Sequence, residues 1–390
     1  MTSPITNATA IKHKAIWHGL QVALILALVM GFGRFAYTAL YPYMVADGVL
    51  TVAQGSIVAS ANYLGYLVGA LFAVSIKADK SPLFAVVALL GTCACLGLMS
   101  VLSGEMGVFW LMAVRFLAGA FSAIGIVSAS MWLLAKQKHT TATPLMYAGV
   151  GFGIALSSEL VVWGVGAGFG SSFLWGVLAI LALVLSLMVV RGLFFEHHHD
   201  KPQTVSSPAI KPKLTANALI ILYGLAGFGY IITATYLPLL VNLALPDVNV
   251  GHIWAVFGLS AVPSCFVWHD IHVRFGTRWA LTANLLTQVV GVMLSIIMPN
   301  MVGYLMSALL VGGAFMGTVT IVMPVAQAIK SGVNHGKNLI ALATLAYSIG
   351  QIIAPLIAGG LYQLSQSFIP ALGIATFALL MGAIIAYQKA

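Results

Sequence analysis

Apolar residues in this chain come in long uncharged blocks parted by short polar stretches. A helix that crosses the hydrocarbon core of a bilayer needs about 20 apolar residues. The blocks resolve into twelve such helices, at 17–44, 51–76, 82–103, 106–135, 143–165, 172–195, 215–244, 251–269, 279–298, 301–329, 338–362 and 368–388. The expected fold is therefore an all-α membrane protein. Residues 1–15 are polar and read as unstructured. The apolar run after Trp17 is too long for a signal peptide and lacks the small-residue cleavage site, so the first helix is expected in the mature protein.

Composition narrows the class. Charged residues make up 6% of the chain and hydrophobic residues 61%, whereas soluble domains carry about 25% charge. The net charge of +9 does not imply nucleic acid as a partner, because it is distributed by side. Counted from a cytoplasmic N-terminus, the lysines and arginines outside the spans, from Lys12 and Lys14 through Lys77, Lys80, Lys136 and Arg191 to Arg274, Lys330 and Lys389, fall on the inner side. The outer loops carry only Asp47, Glu105 and Asp247 as charges. This asymmetry predicts both termini in the cytoplasm of a multi-pass protein in a bacterial inner membrane.

The chain also repeats itself. Residues 31–42 read GFGRFAYTALYP and residues 227–238 read GFGYIITATYLP, 196 positions on in a chain of 390. LMAVRFLAGAF at 111–121 aligns with LMSALLVGGAF at 305–315, and GVGFGIA from Gly149 resembles SIGQIIAP from Ser348. Helices one and seven, four and ten, and five and eleven thus correspond, which predicts an N-terminal six-helix half (1–195), a cytoplasmic linker (196–214) and a C-terminal six-helix half (215–390). The linker, EHHHDKPQTVSSPAIKPKL, reads as a flexible tether. Its His197, His198, His199 and Asp200 are metal-ligating types on an unordered loop, and no metal site or cofactor is expected.

Glycines cluster inside spans, where small residues let helices approach closely, and Gly65 with Gly69, Gly149 with Gly153, and Ala358 to Gly360 are expected contact points. Cys93, Cys95 and Cys265 read as packing residues. Three ionisable groups lie deep in spans: Arg34, Arg115 and Glu159. Such a group costs about 2.5–3.5 kcal/mol at a helix centre, so it normally faces a cavity or a partner. Depth puts all three in the outer half of the N-terminal repeat, while Tyr230 and Leu309 stand at the equivalents of Arg34 and Arg115. Two readings stay open. Arg115 and Glu159 form a structural ion pair with Arg34 bonded to nearby backbone, or Arg34 holds a carboxylate or phosphate and Glu159 takes up a proton. Asn62, Gln351 and the tyrosines Tyr37, Tyr41, Tyr63, Tyr66, Tyr230, Tyr236 and Tyr347 are candidates for a polar lining, whereas Tyr43, Tyr304 and Tyr362 near span ends read as interfacial anchors. No embedded Ser/His/Asp, HExxH or paired-aspartate pattern is present, so no enzyme is expected.

Helix one (GFGRFAYTALYPYM), helix two (SANYLGYLVGAL, 60–71) and the LxxxRxxxG spacing of Leu111, Arg115 and Gly119 resemble the major facilitator superfamily, and within it the YbfB/YjiJ-type branch, over essentially the whole chain. The loop after helix two keeps Asp79 and Lys80 of the superfamily's GxxxDRxGR pattern but has Ser75 and Pro82 at the glycine positions, and Asp270, Arg274, Gly276 and Arg278 form a similar degenerate loop. The resemblance implies the major facilitator fold, with helices one and seven beside a central cavity, which favours Tyr37, Tyr41 and Tyr230 as lining. It also ties Arg115 to proton coupling or gating. The expected function is a monomeric, proton-coupled secondary transporter of a small molecule working by alternating access. Substrate binding or gating falls to Arg34, Tyr37, Tyr41, Asn62, Tyr230 and Gln351, and proton coupling to Arg115 and Glu159. A membrane receptor or sensor of the same fold and a drug efflux antiporter are the alternatives. Helix five lacks the Gly-Pro pair that resembles the antiporter signature.

Overall fold

The computed structural model describes residues 4–105, 107–137, 139, 142–195, 214–332 and 339–389. Every regular element among them is helical. In chain order they are α1 (Pro4–Leu26), a π-helical segment (Ala27–Phe35), α2 (Ala36–Ala46), α3 (Val52–Ala73), a short 3-10 turn (Ala78–Lys80), α4 (Ser81–Glu105), α5 (Val108–Met131), a second π-helical segment (Trp132–Lys136), α6 (Thr143–Gly166), α7 (Ser171–Phe195), α8 (Ala216–Ala244), α9 (Val250–Ile297), α10 (Met301–Gly332), α11 (Leu339–Ser365) and α12 (Ile369–Lys389). The metal-ligating types at 197–200 lie outside the described residues.

Eleven helical runs are long and apolar enough to cross a membrane among the described residues, not the expected twelve. The difference arises at Gly276. The segments expected as helices eight and nine belong to the single 48-residue run of α9, whose length, at about 1.5 Å per residue, is more than twice the thickness of a hydrocarbon core. Within it Gly276 has φ 77° and ψ 173°, a conformation open essentially to glycine alone. The chain breaks direction there within the polar stretch 269–278, which stays helical on both sides of the glycine. A second correction concerns the N-terminus. Helix α1 begins at Pro4 rather than after a polar head, and the first membrane-length run extends over His13–Ala46.

The surface is apolar where that of a water-soluble protein is polar, with Phe109, Trp163, Ile180, Met188 and Phe377 among the exposed large side chains. Tyr304, expected at an interface, is instead buried. Between helices, contact runs through small residues. A Cβ added at Gly65 or Gly69 of α3 would lie 1.8 or 2.4 Å from the Phe116 or Ala120 carbonyl oxygen of α5, and one at Gly149 or Gly153 of α6 would lie 2.0 or 2.3 Å from that of Ala23 or Ala27. These distances are below any real carbon–oxygen contact, so the helices approach as closely as they do only because these positions lack a side chain. Gly359 of α11 meets Ser56 of α3 in the same way, whereas Gly360 faces open space.

The sequence repeat is not a repeat of backbone conformation. The first copy, starting at Gly31, lies partly in the buried π-helical segment, while the second copy lies wholly within the α-helix α8 and carries Pro238 inside it.

Candidate functional site

The site grows from the π-helical segment. Where a π stretch joins an α-helix the regular ladder is interrupted, and carbonyls at the junction need partners from elsewhere. Other helices supply them. Ser122 Oγ of α5 donates to the Val29 carbonyl at 2.5 Å. Arg115 Nη1 and Nη2 donate to the Gly33 and Arg34 carbonyls, each at 2.7 Å, and Trp254 Nε1 of α9 donates to the Phe35 carbonyl at 3.3 Å. Arg115 is fully buried, with the Tyr37 ring centroid 4.9 Å from its Cζ. Its two terminal nitrogens are spent on backbone, so it serves as a strut that fixes residues 33–35.

What the strut presents is the Arg34 side chain. Arg34 is only 4% exposed. Its Nη2 donates to Gln351 Oε1 of α11 at 2.9 Å, and Gln351 Nε2 donates in turn to the Tyr230 hydroxyl of α8 at 2.5 Å. The Nε of Arg34 has no partner. Aromatic rings surround the guanidinium: Tyr66 with its centroid 4.0 Å from Cζ, Tyr63 at 5.1 Å and Phe35 at 5.3 Å. Tyr230 stacks on Phe315 at 5.5 Å and 10°, and on Tyr347 at 5.7 Å and 16°.

Of the expected site residues, Arg34, Tyr230 and Gln351 therefore meet directly, and Arg115 joins them through the backbone of residue 34. Asn62 donates Nδ2 to the Arg115 carbonyl at 2.8 Å and so lies behind the strut. Tyr37 and Tyr41 lie further along α2, with hydroxyls donated to the carbonyls of Gly55 at 2.9 Å and Val52 at 2.5 Å. Glu159 joins neither arginine. Its Oε1 is 3.0 Å from His252 Nδ1, a pair between α6 and α9 whose side chains are about half exposed.

Residues 26–387 match the profile of the family described as "Uncharacterised MFS-type transporter YbfB". The chain belongs to this family. No curated protein matches it. It is thus a multi-pass membrane protein of a transporter family, not of a family of enzymes, and the resemblance read from its opening helices holds along nearly the whole chain.

Several contacts escaped the sequence reading. From the level of Arg34 to the end of the bundle that carries Asp47, helices from the two repeats are bonded to one another. The Tyr236 hydroxyl donates to Ser56 Oγ at 2.7 Å, Tyr63 and Thr235 share a hydroxyl bond of 2.8 Å, and Ser60 Oγ donates to the Ile352 carbonyl at 3.0 Å. Ser158 Oγ donates to the Gly251 carbonyl at 2.6 Å, beside the Glu159–His252 pair. Phe315, Phe257 and Trp254, stacked in that order from Tyr230, are apolar residues inside apolar runs, so nothing in a single sequence separates them from core. Also at the Asp47 end, Thr51, Gln54, Tyr362, Gln363 and Gln366 line an open cavity of about 550 Å³, separate from the residues around Arg34.

Proposed function

We propose that this protein is a proton-coupled secondary transporter of a small molecule, resident in a bacterial inner membrane with both termini cytoplasmic, and that its two six-helix halves alternate access to a site at Arg34. One observation carries this reading: a buried guanidinium with unspent donors, held at the junction of α8, α11 and the π-helical segment by the relay through Gln351 to Tyr230. A charge is expensive inside a bilayer and is retained where it has work to do. Gln351 is an exchangeable partner, since a ligand that takes the guanidinium releases an amide already bonded on its other side to Tyr230.

The cross-repeat bonds at the Asp47 end fit a state closed to the outside. Opening that end would break the Tyr236–Ser56, Tyr63–Thr235 and Ser158–Gly251 contacts, each worth about 0.5–1.5 kcal/mol net. Glu159 pairs with His252 across the same seam. A proton arriving from outside neutralises the carboxylate and weakens the pair, which gives a route from proton binding to opening.

The test is counterflow in proteoliposomes. Protein purified and reconstituted with an unlabelled ligand inside should draw in the labelled ligand, and an imposed pH gradient should drive accumulation. Ligand binding without any passage of solute would favour a receptor of the same fold.

A further inference from the structure

Among the described residues no carboxylate forms an ion pair with Arg34. Among the described acids, Glu159 is paired with His252, Asp47 accepts from the Ser171 backbone N–H at 2.6 Å and Asp270 bonds Arg274 at 2.8 Å. Among the described residues the one side-chain acceptor on the Arg34 guanidinium is the neutral amide of Gln351, and the buried Nε has none. Burying a charge with so little compensation is costly, and an anion arriving with the ligand relieves that cost. Arg115 differs in that both of its terminal nitrogens already bond backbone, to the Gly33 and Arg34 carbonyls.

The walls are aromatic. Tyr66, Tyr63 and Phe35 surround the guanidinium, and the ring of Tyr230, one amide away, continues into the near-parallel stack with Phe315 and Tyr347. A flat conjugated body gains stacking here, whereas a second carboxylate would meet an aromatic wall with no partner and an ammonium would be repelled by the Arg34 cation. We propose that the Arg34 site takes a planar organic monoanion, a carboxylate carried on an aromatic or conjugated body. The carboxylate would accept from Arg34 in place of Gln351, and the ring would lie against the Tyr66 or Tyr230 wall. This assignment rests on the reading of Arg34 as the transport site.

The experiment is a binding series on the purified full chain in detergent, read by calorimetry and thermal shift. The probes are benzoate, 4-hydroxybenzoate and cinnamate against butyrate, succinate, benzylamine and benzyl alcohol. The aromatic monocarboxylates should bind at least about tenfold more tightly than the others, a factor readable from dissociation constants. Arg34→Lys should weaken all carboxylates while leaving melting temperature near wild type, since an ammonium keeps the charge but loses the planar fork. Tyr66→Leu should weaken the aromatic acids and leave butyrate unchanged. Tighter binding of succinate, benzylamine or benzyl alcohol, or no binding of any aromatic acid up to about 10 mM, would overturn the assignment. Counterflow separates this from the transport reading. A succinate or amine that is moved leaves the transporter standing and removes the substrate class, whereas an aromatic acid that binds but is never moved does the reverse.

Discussion

Thr38 donates its hydroxyl to the carbonyl of Ala234 at 3.0 Å, and the two residues are 196 positions apart, the offset that separates the two GFG stretches. Thr38 therefore touches its own repeat equivalent. Residues related by a rotation can meet only close to its axis, so in the reading of two six-helix halves α2 and α8 run side by side along that axis. Arg34 and Tyr230 are equivalents by the same offset, and both bond Gln351. The two equivalents thus meet at one amide of α11, with a cation on one side of it and a phenol on the other.

Thr38→Val removes the donor at nearly constant volume. The bond is worth about 0.5–1.5 kcal/mol net, so the population open at the Asp47 end should rise about two- to tenfold. Spin labels on Gly48→Cys and Asp247→Cys would read this as growth of the longer-distance population in pulsed resonance. An unchanged distance distribution would mean that the Thr38 bond takes no part in closure.

Gly276 and Gly360 should respond to alanine with opposite signs. At Gly276, φ is 77° and ψ 173°, and a Cβ there costs about 1–3 kcal/mol. At Gly360 nothing lies within 4 Å of the added carbon, and replacing a mid-helix glycine with alanine gains about 0.5–1 kcal/mol. Melting temperatures of the two variants in one detergent check the contrast, and equal shifts would show that backbone conformation at Gly276 is not what matters.

Those two glycines also show what could be read in advance. Membrane helices, the half-length repeat and the close approaches at Gly65, Gly69, Gly149 and Gly153 follow from composition and spacing, because the bilayer imposes length and the absence of water imposes small residues at contacts. The break between the expected helices eight and nine was legible, since the polar stretch from His269 to Arg278 parts two apolar runs, but its confinement to the backbone of Gly276 was not. The π-helical segment was hidden too, because its stability comes from Ser122, Arg115 and Trp254 reaching its carbonyls, and such contacts are tertiary. Arg34 stood out for its charge, and Gln351 for its amide within an apolar run. The partner of Glu159 did not, because His252 lies 93 positions away.

The Glu159–His252 pair predicts a separation of coupling from binding, because it lies apart from the residues around Arg34. Because both side chains are about half exposed, the pair is worth only about 0–1 kcal/mol, enough to bias an equilibrium but not to hold the fold. Glu159→Gln should keep ligand affinity and melting temperature while losing proton-driven accumulation in proteoliposomes. Wild-type accumulation under a pH gradient would take Glu159 out of the coupling step.

Orientation can be checked without a ligand. Asp47 and Asp247 are exposed at the ends of α2 and α8, and the one-sided distribution of lysine and arginine puts both outside. Single cysteines at these positions in a chain cleared of Cys93, Cys95 and Cys265 should react with an impermeant maleimide in intact cells. A cysteine at Ser206 in the linker should react only after lysis. The opposite pattern would invert the topology.

Arg115 and Arg34 are both buried arginines of one repeat, yet their partners predict different failures. Arg115 bonds the Gly33 and Arg34 carbonyls with two nitrogens of one planar group, a geometry that lysine cannot reproduce. Arg115→Lys should leave one of those buried carbonyls unpaired at a cost of about 1–3 kcal/mol, loosening the π-helical segment and lowering the melting temperature by several degrees. Arg34 would then be presented less accurately, so affinity should fall together with stability. Arg34→Lys, by contrast, disturbs the bond to Gln351 and the contacts with the Phe35, Tyr63 and Tyr66 rings but unpairs no backbone carbonyl, and should reduce affinity with little change in melting temperature. The decisive comparison is a plot of binding free energy against melting temperature for the two variants, with Arg115→Ala as a third point. If Arg115→Lys loses binding with an unshifted melting temperature, Arg115 contacts the ligand and is not a strut; if it retains both, the carbonyls of residues 33 and 34 do not depend on it.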